Sequence, residues 1–382
     1  MRLQDIHSID DLEAAARRRL PSLMYDFIAG GAGDEQNLHH NKQQFERYRI
    51  VPRYLVDVKG RTQKTTLFGR EYGSLFGISA TGYAGFYRPD GEIMLAKAAV
   101  EADIPVMQSC VSVASVETLS KVAPRNLWFQ LYAARDPKIS EDLLRRAADA
   151  GVETLAVTID LPVPGPRPRD LRSGFKIPPK ITPRILFDAM CHPLWSLGVL
   201  RMGGLPKVGN WVPYAPPGST ALQVAAFMRT HSFQPQTWPD IERFRKQWKG
   251  NLVLKGILHP DDARTAAEVG VDGVIVSNHG GRQFDRSPSS LEALPAVVEA
   301  VGSRMTVMVD SGFTSGSDIV LAYALGAKYV FVGRATAWGM IAGGYEGAKR
   351  AVDILRWQID STMGQIGCLK PADLPNMTLM RV

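Results

Sequence analysis

An imidazole and a guanidinium stand three positions apart in the segment VIVSNHGGRQFD, which begins at Val274. An apolar run typical of a buried strand ends there in a polar cluster that holds His279, two glycines and Arg282. The glycines let the backbone turn, so a base with a pKa near neutrality and a permanently charged planar donor can face one small ligand. A lone histidine after a strand is more often structural, and its neighbours are what favour a catalytic role.

Two further ionisable residues follow apolar runs elsewhere in the chain. Asp160 comes after TLAVTI. It could orient the imidazole of His279 and stabilise its protonated form, although an Asp in this place is also a common helix N-cap. Lys255 follows Asn, Leu and Val residues, where a buried ammonium group needs an anionic or strongly accepting partner. A structural salt bridge would meet that need, and so would a cofactor that gains negative charge during turnover.

These side chains can meet only if the elements that carry them converge. Eight short apolar runs are predicted to be strands, and they end at Ala80, Ser109, Tyr132, Asp160, Ile257, Asn278, Ser311 and Arg334. Helical patterns such as SEDLLRRAADAG and PDDARTAAEVG follow several of them. Eight β-then-α units predict an α/β fold, a (β/α)8 TIM barrel, in which the residues at the strand carboxyl ends share one face. A doubly wound open sheet is the alternative, but it usually has an early GxGxxG, which is absent here.

Two segments lie outside this repeat. Residues 1–70 carry helical patterns, including YDFIAGGAGDE, and predict an N-terminal helical cap. Residues 161–250 are rich in Pro, Gly and Trp and form a long insertion after strand 4, where a short connection is expected. Such an insertion at the catalytic face is usually a lid, a binding surface or a mobile segment. We therefore predict a single domain over residues 1–382.

The composition narrows the class of protein. The chain has 382 residues, is 45% hydrophobic and carries a formal net charge of +7 without a long block of like charge. This distribution favours an anionic small molecule or an acidic membrane surface over nucleic acid. The three cysteines form no CxxC pattern, which indicates a reducing compartment, and no metal site is expected. No signal-peptide pattern and no run of about 18 uncharged apolar residues is present, so we expect a cytoplasmic protein.

The loops after strands 7 and 8, DSGFTSGSD and GRATAWG, are rich in glycine and hydroxyl residues and lead into helices. In barrels this is a common phosphate-binding position, where backbone N–H groups and a helix N-terminus hold the anion. Glycines that only permit tight turns are the alternative explanation. Arg334 in the second loop favours phosphate.

Several of these segments together resemble one family. VSNHGGRQFD, DSGFTSGSDIVLAYALGA, GRATAWG, LVLKGIL, WFQLY, RPRDLRSGF and YDFIAGGAGDE are similar to the FMN-dependent 2-hydroxy-acid oxidising enzymes, which include glycolate oxidase, flavin lactate dehydrogenases and mandelate dehydrogenase. The resemblance spans nearly the whole chain, and SNHGGRQ is its most specific signature. QIDSTMGQIG and HPLWSL look most like the bacterial (S)-mandelate dehydrogenase branch, and bacterial lactate dehydrogenases look similar too.

The resemblance implies FMN as cofactor and a role for each matching residue. His279 would be the base and Asp160 its partner, Arg282, Arg167 and Tyr25 would hold the substrate carboxylate, and Tyr132 would contact the substrate hydroxyl. The cofactor would be bound by Ala80, Thr81, Gly82, Ser109, Cys110, Gln130, Thr158, Lys255, Ser277, Asp310, Gly312, Thr314, Gly333 and Arg334. Within that set, Lys255 would lie at the N1/O2 edge of the flavin, and Asp310 would bind the ribityl chain. Gly312, Gly333 and Arg334 would serve the phosphate.

Three positions depart from the family pattern. Thr314 and Ser315 stand where many relatives have an arginine in the phosphate loop, so one charge-assisted contact is replaced by neutral hydroxyl groups. Cys110 stands where a serine is usual near the flavin. Arg286 stands where a glycine is commoner. None of these changes removes a catalytic group.

The implied reaction converts an (S)-2-hydroxy acid to the 2-oxo acid, with electrons passed through reduced FMN to a quinone or to oxygen. The residues suit removal of the carbon-bound proton and equally removal of the hydroxyl proton with hydride transfer. Val111 stands where glycolate oxidases carry tryptophan, so we expect a large acid such as mandelate, although Tyr83 could refill the space. An (S)-lactate dehydrogenase or an oxidase of the same family is the alternative. A non-redox phosphate-binding isomerase or lyase, or a non-catalytic scaffold, is more distant.

The insertion contains ILFDAMCHPLWSLGVLRMGGL, which mixes apolar residues with Asp188 and Arg201. The segment is too short and too interrupted to span a bilayer, yet apolar enough to lie in its interface. A lid packed on the barrel is the alternative. We expect peripheral attachment to the inner face of the cell membrane, and the resemblance implies a homo-oligomer, a tetramer.

Overall fold

The computed structural model describes residues 3–175 and 182–382. Residues 1–2 of the predicted cap and 176–181 of the predicted insertion lie outside this range. The strands are β1 (Tyr48–Ile50), β2 (Thr65–Leu67), β3 (Arg70–Tyr72), β4 (Phe76–Ile78), β5 (Val106–Ser109), β6 (Leu127–Leu131), β7 (Thr154–Thr158), β8 (Asn251–Ile257), β9 (Gly273–Val276), β10 (Thr306–Val309), β11 (Tyr329–Val332) and β12 (Leu379–Arg381).

The helices surround these strands. They are α1 (Ile9–Arg19), α2 (Ser22–Ala29), α3 (Gln36–Gln43), α4 (Ala84–Tyr87), α5 (Gly91–Glu101), α6 (Val116–Val122), α7 (Pro137–Asp149), α8 (Pro168–Ser173), α9 (Pro183–Cys191), α10 (Pro193–Arg201), α11 (Ala221–His231), α12 (Trp238–Gln247), α13 (Pro260–Glu268), α14 (Ser290–Val301), α15 (Gly316–Ala324) and α16 (Arg334–Gln365). Short 3-10 helices lie at Leu3–Asp5, Gln44–Arg47, Gly209–Tyr214 and Pro371–Asn376.

Strands β4 to β11 form a closed parallel barrel, which confirms the predicted (β/α)8 fold. The barrel closes between its first and last strands, where Val330, Phe331 and Val332 of β11 pair with β4. The continuous apolar runs of the eight barrel strands are buried on both faces, as a parallel sheet covered by helices requires. The predicted helical segments SEDLLRRAADAG and PDDARTAAEVG lie on the outside in α7 and α13.

Most of the predicted strands were too long at their carboxyl ends. β4 ends at Ile78 and β9 at Val276, each two residues before the predicted end, so the polar residues that follow lie in loops. Lys255 differs, because β8 continues past it to Ile257 through a bulge at Gly256. The strand ends nevertheless meet at one face, as expected.

A hairpin of β2 and β3 closes the amino end of the barrel. Phe68 lies in the turn of this hairpin and packs against Trp128 inside the barrel, with ring centroids 5.8 Å apart. Tyr72 packs against Tyr329 in the same way. The barrel interior is thus a filled core at its amino end, and a large cavity lies toward the carboxyl ends of the strands.

The predicted cap is helical only in part. α1 to α3 are present, but β1 follows and pairs antiparallel with β12 near the other end of the chain. Buried amides fix α3 to the loop after β9: Asn278 donates to Asn41 at 2.7 Å, and Asn41 donates back at 3.0 Å. The cap is therefore tied to the barrel face that carries His279.

The insertion holds α8 to α12. Trp211, Met228 and Phe244 are buried and anchor it to the barrel. In contrast, α9 and α10 contain no fully buried residue. No helix in the described ranges has both the length and the apolar character needed to cross a bilayer.

Candidate active site

A cavity of about 1650 Å³ opens at the carboxyl ends of the barrel strands. Residues from the carboxyl-terminal parts of the strands or from the loops that follow them line it, with Lys255 as the contribution of β8, together with parts of the cap and the insertion. Pockets for one small molecule are usually on the order of 300–1,000 Å³. The cavity therefore has room for a cofactor and a substrate side by side.

Most of the predicted site residues line this cavity. They are Tyr25, Ala80, Thr81, Gly82, Gln130, Tyr132, Thr158, Arg167, Lys255, His279, Arg282, Asp310, Gly312, Thr314, Gly333 and Arg334. Ser109, Cys110, Asp160 and Ser277 lie behind the cavity wall and contact the residues that form it.

His279 is held from both sides. Its Nδ1 lies 3.0 and 3.1 Å from the two carboxylate oxygens of Asp160, and its Nε2 lies 3.2 Å from the hydroxyl oxygen of Tyr132. A carboxylate can only accept, so Nδ1 carries the hydrogen and the lone pair of Nε2 accepts from the Tyr132 hydroxyl, beside the cavity that both residues line. The arrangement leaves Nε2 as the nitrogen that can take up a proton.

The net pKa of His279 is lowered from its ordinary value of 6.5. Burial is the largest cause, and the positive charges of Lys255 and Arg167 act in the same direction. Asp160 raises the pKa, as we expected, but it does not outweigh the burial. The imidazole is therefore neutral at pH 7 and able to accept a proton, and the carboxylate stabilises the charge that results.

Asp160 is not a helix N-cap, because the next helix begins only at Pro168, with Arg167 as its N-cap. Its close approach to β8 depends on Gly256, which has a φ of 111°. A Cβ at Gly256 would lie 2.7 Å from the Cβ of Asp160. The bulge in β8 thus makes space for the carboxylate beside the imidazole.

Arg167 and Arg282 form a positively charged wall of the cavity. Arg282 donates from Nη1 to the carbonyls of Phe27 and Gly30, at 2.7 and 2.8 Å, and Arg167 donates to the carbonyl of Arg282. Burial lowers the pKa of Arg167 to about 10, and the neighbouring Arg282 contributes. Two guanidinium groups held this close favour an anionic ligand such as a carboxylate.

Tyr25 is placed less simply than its predicted role. Its ring lines the cavity and stacks on Trp338 with centroids 5.7 Å apart, but its hydroxyl donates to Glu13 at 3.0 Å. Its predicted contact with a substrate carboxylate stays a prediction.

The ring of Tyr132 packs against that of Phe233, with centroids 4.9 Å apart. This contact brings an apolar side chain of the insertion beside the base, His279.

Lys255 and Asp310 form a buried ion pair at 3.0 Å. Burial lowers the pKa of Lys255, but the carboxylates of Asp310 and Asp160 outweigh it, and the net pKa is raised. Burial likewise opposes ionisation of Asp310, yet Lys255 lowers its net pKa. Both groups are charged, so Asp310 supplies the anionic partner that Lys255 was expected to need. Lys255 also donates to Ser277 at 2.9 Å.

Hydrogen bonds fix the orientation of the Gln130 amide. Ser109 donates to its oxygen at 2.8 Å, and its nitrogen donates to Thr158 at 2.9 Å. Cys110 accepts a hydrogen bond from the backbone of Tyr132 at 3.2 Å, and burial raises the pKa of its thiol to about 12. Cys110 is therefore a neutral packing group that supports the backbone of Tyr132.

The loops after β10 and β11 face the cavity through Gly312, Thr314, Gly333 and Arg334. Gly312 has a φ of 89°, which favours glycine. Arg334 is half-buried and donates to the carbonyls of Ile28, Gly30 and Gly280 at 2.9 to 3.0 Å. Burial lowers its pKa to about 9, with Arg282 adding to the effect.

Several lining residues were not indicated by the sequence patterns. From the cap they include His39, Asn41 and Lys42, and from the insertion Met228 and Phe233. A helical pattern predicts that a cap exists, but it does not tell which part of the cap meets which barrel loop. The basic pair His39 and Lys42 beside a predicted anion site was the only available signal.

Comparison with known proteins defines the class. The family model described as FMN-dependent dehydrogenase matches residues 16–381. The chain belongs to the FMN-dependent dehydrogenase family, and FMN is its cofactor. This confirms the family resemblance of the signature segments.

Individual relatives show which activities occur among proteins similar to this chain. The chain is 40% identical over 363 residues to an L-lactate dehydrogenase of Caulobacter sp. (strain K31), with 95% of each chain covered. It is 38% identical over 365 residues to an (S)-mandelate dehydrogenase of Pseudomonas putida, with 96% of this chain and 91% of that protein covered. The crystal structure of the monotopic membrane protein (S)-mandelate dehydrogenase has a TM-score of 0.95 at 37% identity and covers 99% of this chain and 100% of the other.

The residues present fit FMN. The buried Lys255 ammonium can face a flavin edge that gains negative charge, and the Gln130 amide is already oriented toward the cavity. At the other end, Gly312 and Gly333 leave backbone exposed to the cavity beside Arg334, as a phosphate requires.

Proposed function

We propose that the protein oxidises an (S)-2-hydroxy acid with a large, preferably aromatic side group, such as mandelate, to the 2-oxo acid. Lactate and mandelate, which name the relatives, are both 2-hydroxy acids, so the reaction class follows from the family. The preference for the larger acid is supported by one observation above all. The cavity wall beside the His279 and Tyr132 pair is apolar.

The side chains of the cavity have separate roles in this reaction. Arg167 and Arg282 hold the substrate carboxylate, which leaves the hydroxyl-bearing carbon near Nε2 of His279. His279 accepts one proton from the substrate, and Asp160 stabilises the imidazolium that forms. Tyr132 holds the substrate oxygen through its hydroxyl. FMN, held by Lys255, Gln130 and the loops after β10 and β11, would supply the two-electron oxidant and would take up the second hydrogen of the substrate together with the electron pair.

The apolar wall consists of Tyr83, Val111, Met228 and Phe233. Val111 is small enough to leave space where a tryptophan would fill the cavity. Tyr83 does not swing freely into that space, because its ring packs edge-on against Phe86 at 5.6 Å and its hydroxyl lies 3.8 Å from the sulfur of Met228. An aromatic side group would bury more apolar area here than the methyl group of lactate.

Substrate kinetics test this choice. We expect kcat/KM to fall in the order (S)-mandelate, (S)-2-hydroxyoctanoate, (S)-lactate, glycolate. Val111→Trp should lower kcat/KM for mandelate and octanoate selectively and spare glycolate. A wild-type preference for lactate or glycolate would show that the pocket is smaller than we propose, without affecting the reaction class.

We further propose that the protein works at a membrane surface and passes its electrons to a quinone there. The insertion hairpin, α9 and α10, carries the supporting features. Its apolar side chains Leu186, Phe187, Met190, Leu194, Leu197 and Leu200 are 50% to 70% exposed. So large an exposed apolar surface is unusual for a face that only meets water.

The insertion hairpin is attached to the body by its polar groups. Asp188 accepts a hydrogen bond from the backbone of Ser22 at 2.7 Å, and Trp195 donates to the carbonyl of Phe86 at 2.9 Å. Because these contacts fix the inner side, the apolar side chains face outward together. Arg184 and Arg201 near the two ends add positive charge suited to anionic lipid headgroups.

Vesicle binding tests the attachment. The double variant Phe187→Ser, Leu194→Ser should lose co-sedimentation with vesicles that contain anionic lipid, whereas Trp357→Ser, which changes a similarly exposed apolar residue on α16, should bind like wild type. Equal binding of all three proteins would remove the proposal. Reoxidation of the reduced enzyme by a quinone faster than by oxygen would support the acceptor, and sedimentation would test the predicted tetramer.

A further inference from the structure

The loop after β10 offers little positive charge to a phosphate. Residues 311–315 contain no basic side chain, and the amides of Thr314 and Ser315 donate to the carboxylate of Asp318 at 3.0 and 2.9 Å. The amide of Gly316 donates to Gln358 at 2.8 Å. The N-terminus of α15 is thus occupied by the protein's own side chains, and a phosphate monoester brings close to two negative charges.

Arg334 alone would have to balance that charge from the barrel side. Its guanidinium already donates to three backbone carbonyls, those of Ile28, Gly30 and Gly280. It can use only its remaining N–H groups for a phosphate. A second cation at this end of the cavity would therefore matter for cofactor affinity.

The cap brings a lysine to this end. A Cβ added to Gly312 would lie 2.9 Å from the carbonyl oxygen of Asn41, so α3 touches the loop directly. Phe45 packs edge-on against Phe313 of the same loop, with centroids 5.0 Å apart. Lys42 lies between these two contacts in the chain, and it lines the cavity together with Gly312, Phe313 and Thr314.

The backbone at Lys42 is fixed, while its ammonium group is uncommitted. The reciprocal hydrogen bonds of Asn41 and Asn278 hold this part of α3 against the barrel. Among the ion pairs of residues 3–175 and 182–382, none involves Lys42. The nearby acids Glu35 and Asp310 are paired with Arg169 and Lys255. The flexible side chain of Lys42 is therefore free to reach a ligand.

We propose that Lys42 binds the phosphate of FMN and supplies the positive charge that the loop after β10 lacks. The inference rests on FMN as the cofactor and is independent of the substrate and of membrane attachment. Lys42 acts as a point charge with rotatable donors, so its contribution is charge-assisted and directed at the phosphate alone. Riboflavin, which has the same ring and ribityl chain without the phosphate, should not sense Lys42.

Flavin binding to the full-length protein, stripped of its cofactor, tests this directly. Lys42→Gln should weaken FMN binding by about 10-fold at low salt and leave riboflavin binding unchanged. Lys42→Arg should restore FMN binding. Lys121→Gln is the matched control, because Lys121 is also an exposed lysine in the last turn of a helix, here α6, but does not line the cavity.

The outcomes separate cleanly. A loss of affinity in Lys42→Gln for FMN but not for riboflavin supports the proposal. Added salt should make this difference between Lys42→Gln and the wild type smaller. Unchanged FMN affinity, or an equal loss for FMN and riboflavin, overturns it. If stripping the flavin unfolds the chain, the rise in melting temperature on adding FMN and riboflavin to each variant gives the same comparison. A wild-type protein that binds neither flavin would overturn the cofactor itself.

Discussion

The barrel loops and the insertion hairpin differ in which side chains they bury and which they expose to solvent. At the barrel face, ionisable groups are paired away from solvent: Lys255 with Asp310, which are buried, and His279 with Asp160, which are half-buried. On the hairpin, apolar groups are exposed and polar groups face inward, as with Asp188. The first arrangement suits a fixed chemical step and the second suits contact with a soft, apolar partner. Changes in one region should therefore leave the function of the other intact.

The largest effect should come from His279→Ala. Flavin reduction by substrate under anaerobic conditions should slow by roughly 10⁴-fold, because the base is lost while the phosphate and ring contacts remain. FMN content and vesicle binding should match wild type. His259→Ala, which removes an exposed histidine elsewhere, is the control. Bleaching at a near wild-type rate would show that another group is the base.

Asp160→Asn should be the next most damaging. The amide cannot stabilise the imidazolium, so the rate should fall on the order of 10³-fold. The pH dependence gives a second signature. Asp160 raises the pKa of His279 against the effect of burial, so its removal lowers that pKa further. The acid limb of kcat/KM should therefore move to lower pH in the variant than in the wild type. A shift to higher pH would contradict the assigned pair.

Arg282→Lys should cost less, about 10²-fold in kcat/KM, because lysine keeps the charge but not the planar two-point contact. It also cannot reproduce the paired bonds to the carbonyls of Phe27 and Gly30. Substrate saturation kinetics would measure the loss. Wild-type kinetics would mean that the carboxylate is held elsewhere.

The smallest effect should come from the hairpin. Phe187→Ser, Leu194→Ser should change kcat with a soluble dye as acceptor by less than about 2-fold, since surface substitutions away from a site rarely matter. Turnover with quinone in membranes should fall markedly in the same protein. An equal fall with both acceptors would show that the hairpin supports the active site and break the contrast between the two regions.

The fold was predictable to the extent that burial leaves a pattern. Strands covered on both faces are continuous apolar runs, and all eight were found. The ends of β5 and β8 were also found, but most other ends were placed too late, because a polar residue just beyond a strand cannot be told from one inside it, as Ser277 after β9 shows. The base and the arginines were predictable because the HGGR segment carries chemistry in its own residue types. The bonds of Arg334 to the cap carbonyls were not, since nothing local in either segment records a partner about 300 positions away in sequence.

The pairing of β1 with β12 has a consequence for biosynthesis. Residues 48–50 leave the ribosome early and must wait for residues 379–381 before that ladder can form. The cap likewise gains its bonds to Arg282 and Arg334 only after most of the barrel has been translated. Contacts so distant in sequence form slowly, and until then the apolar inner face of the cap is uncovered. During synthesis there is thus a long interval in which every barrel strand but the last has been made. The flavin site cannot yet bind its cofactor in that interval, because the cap is not yet bonded to the barrel.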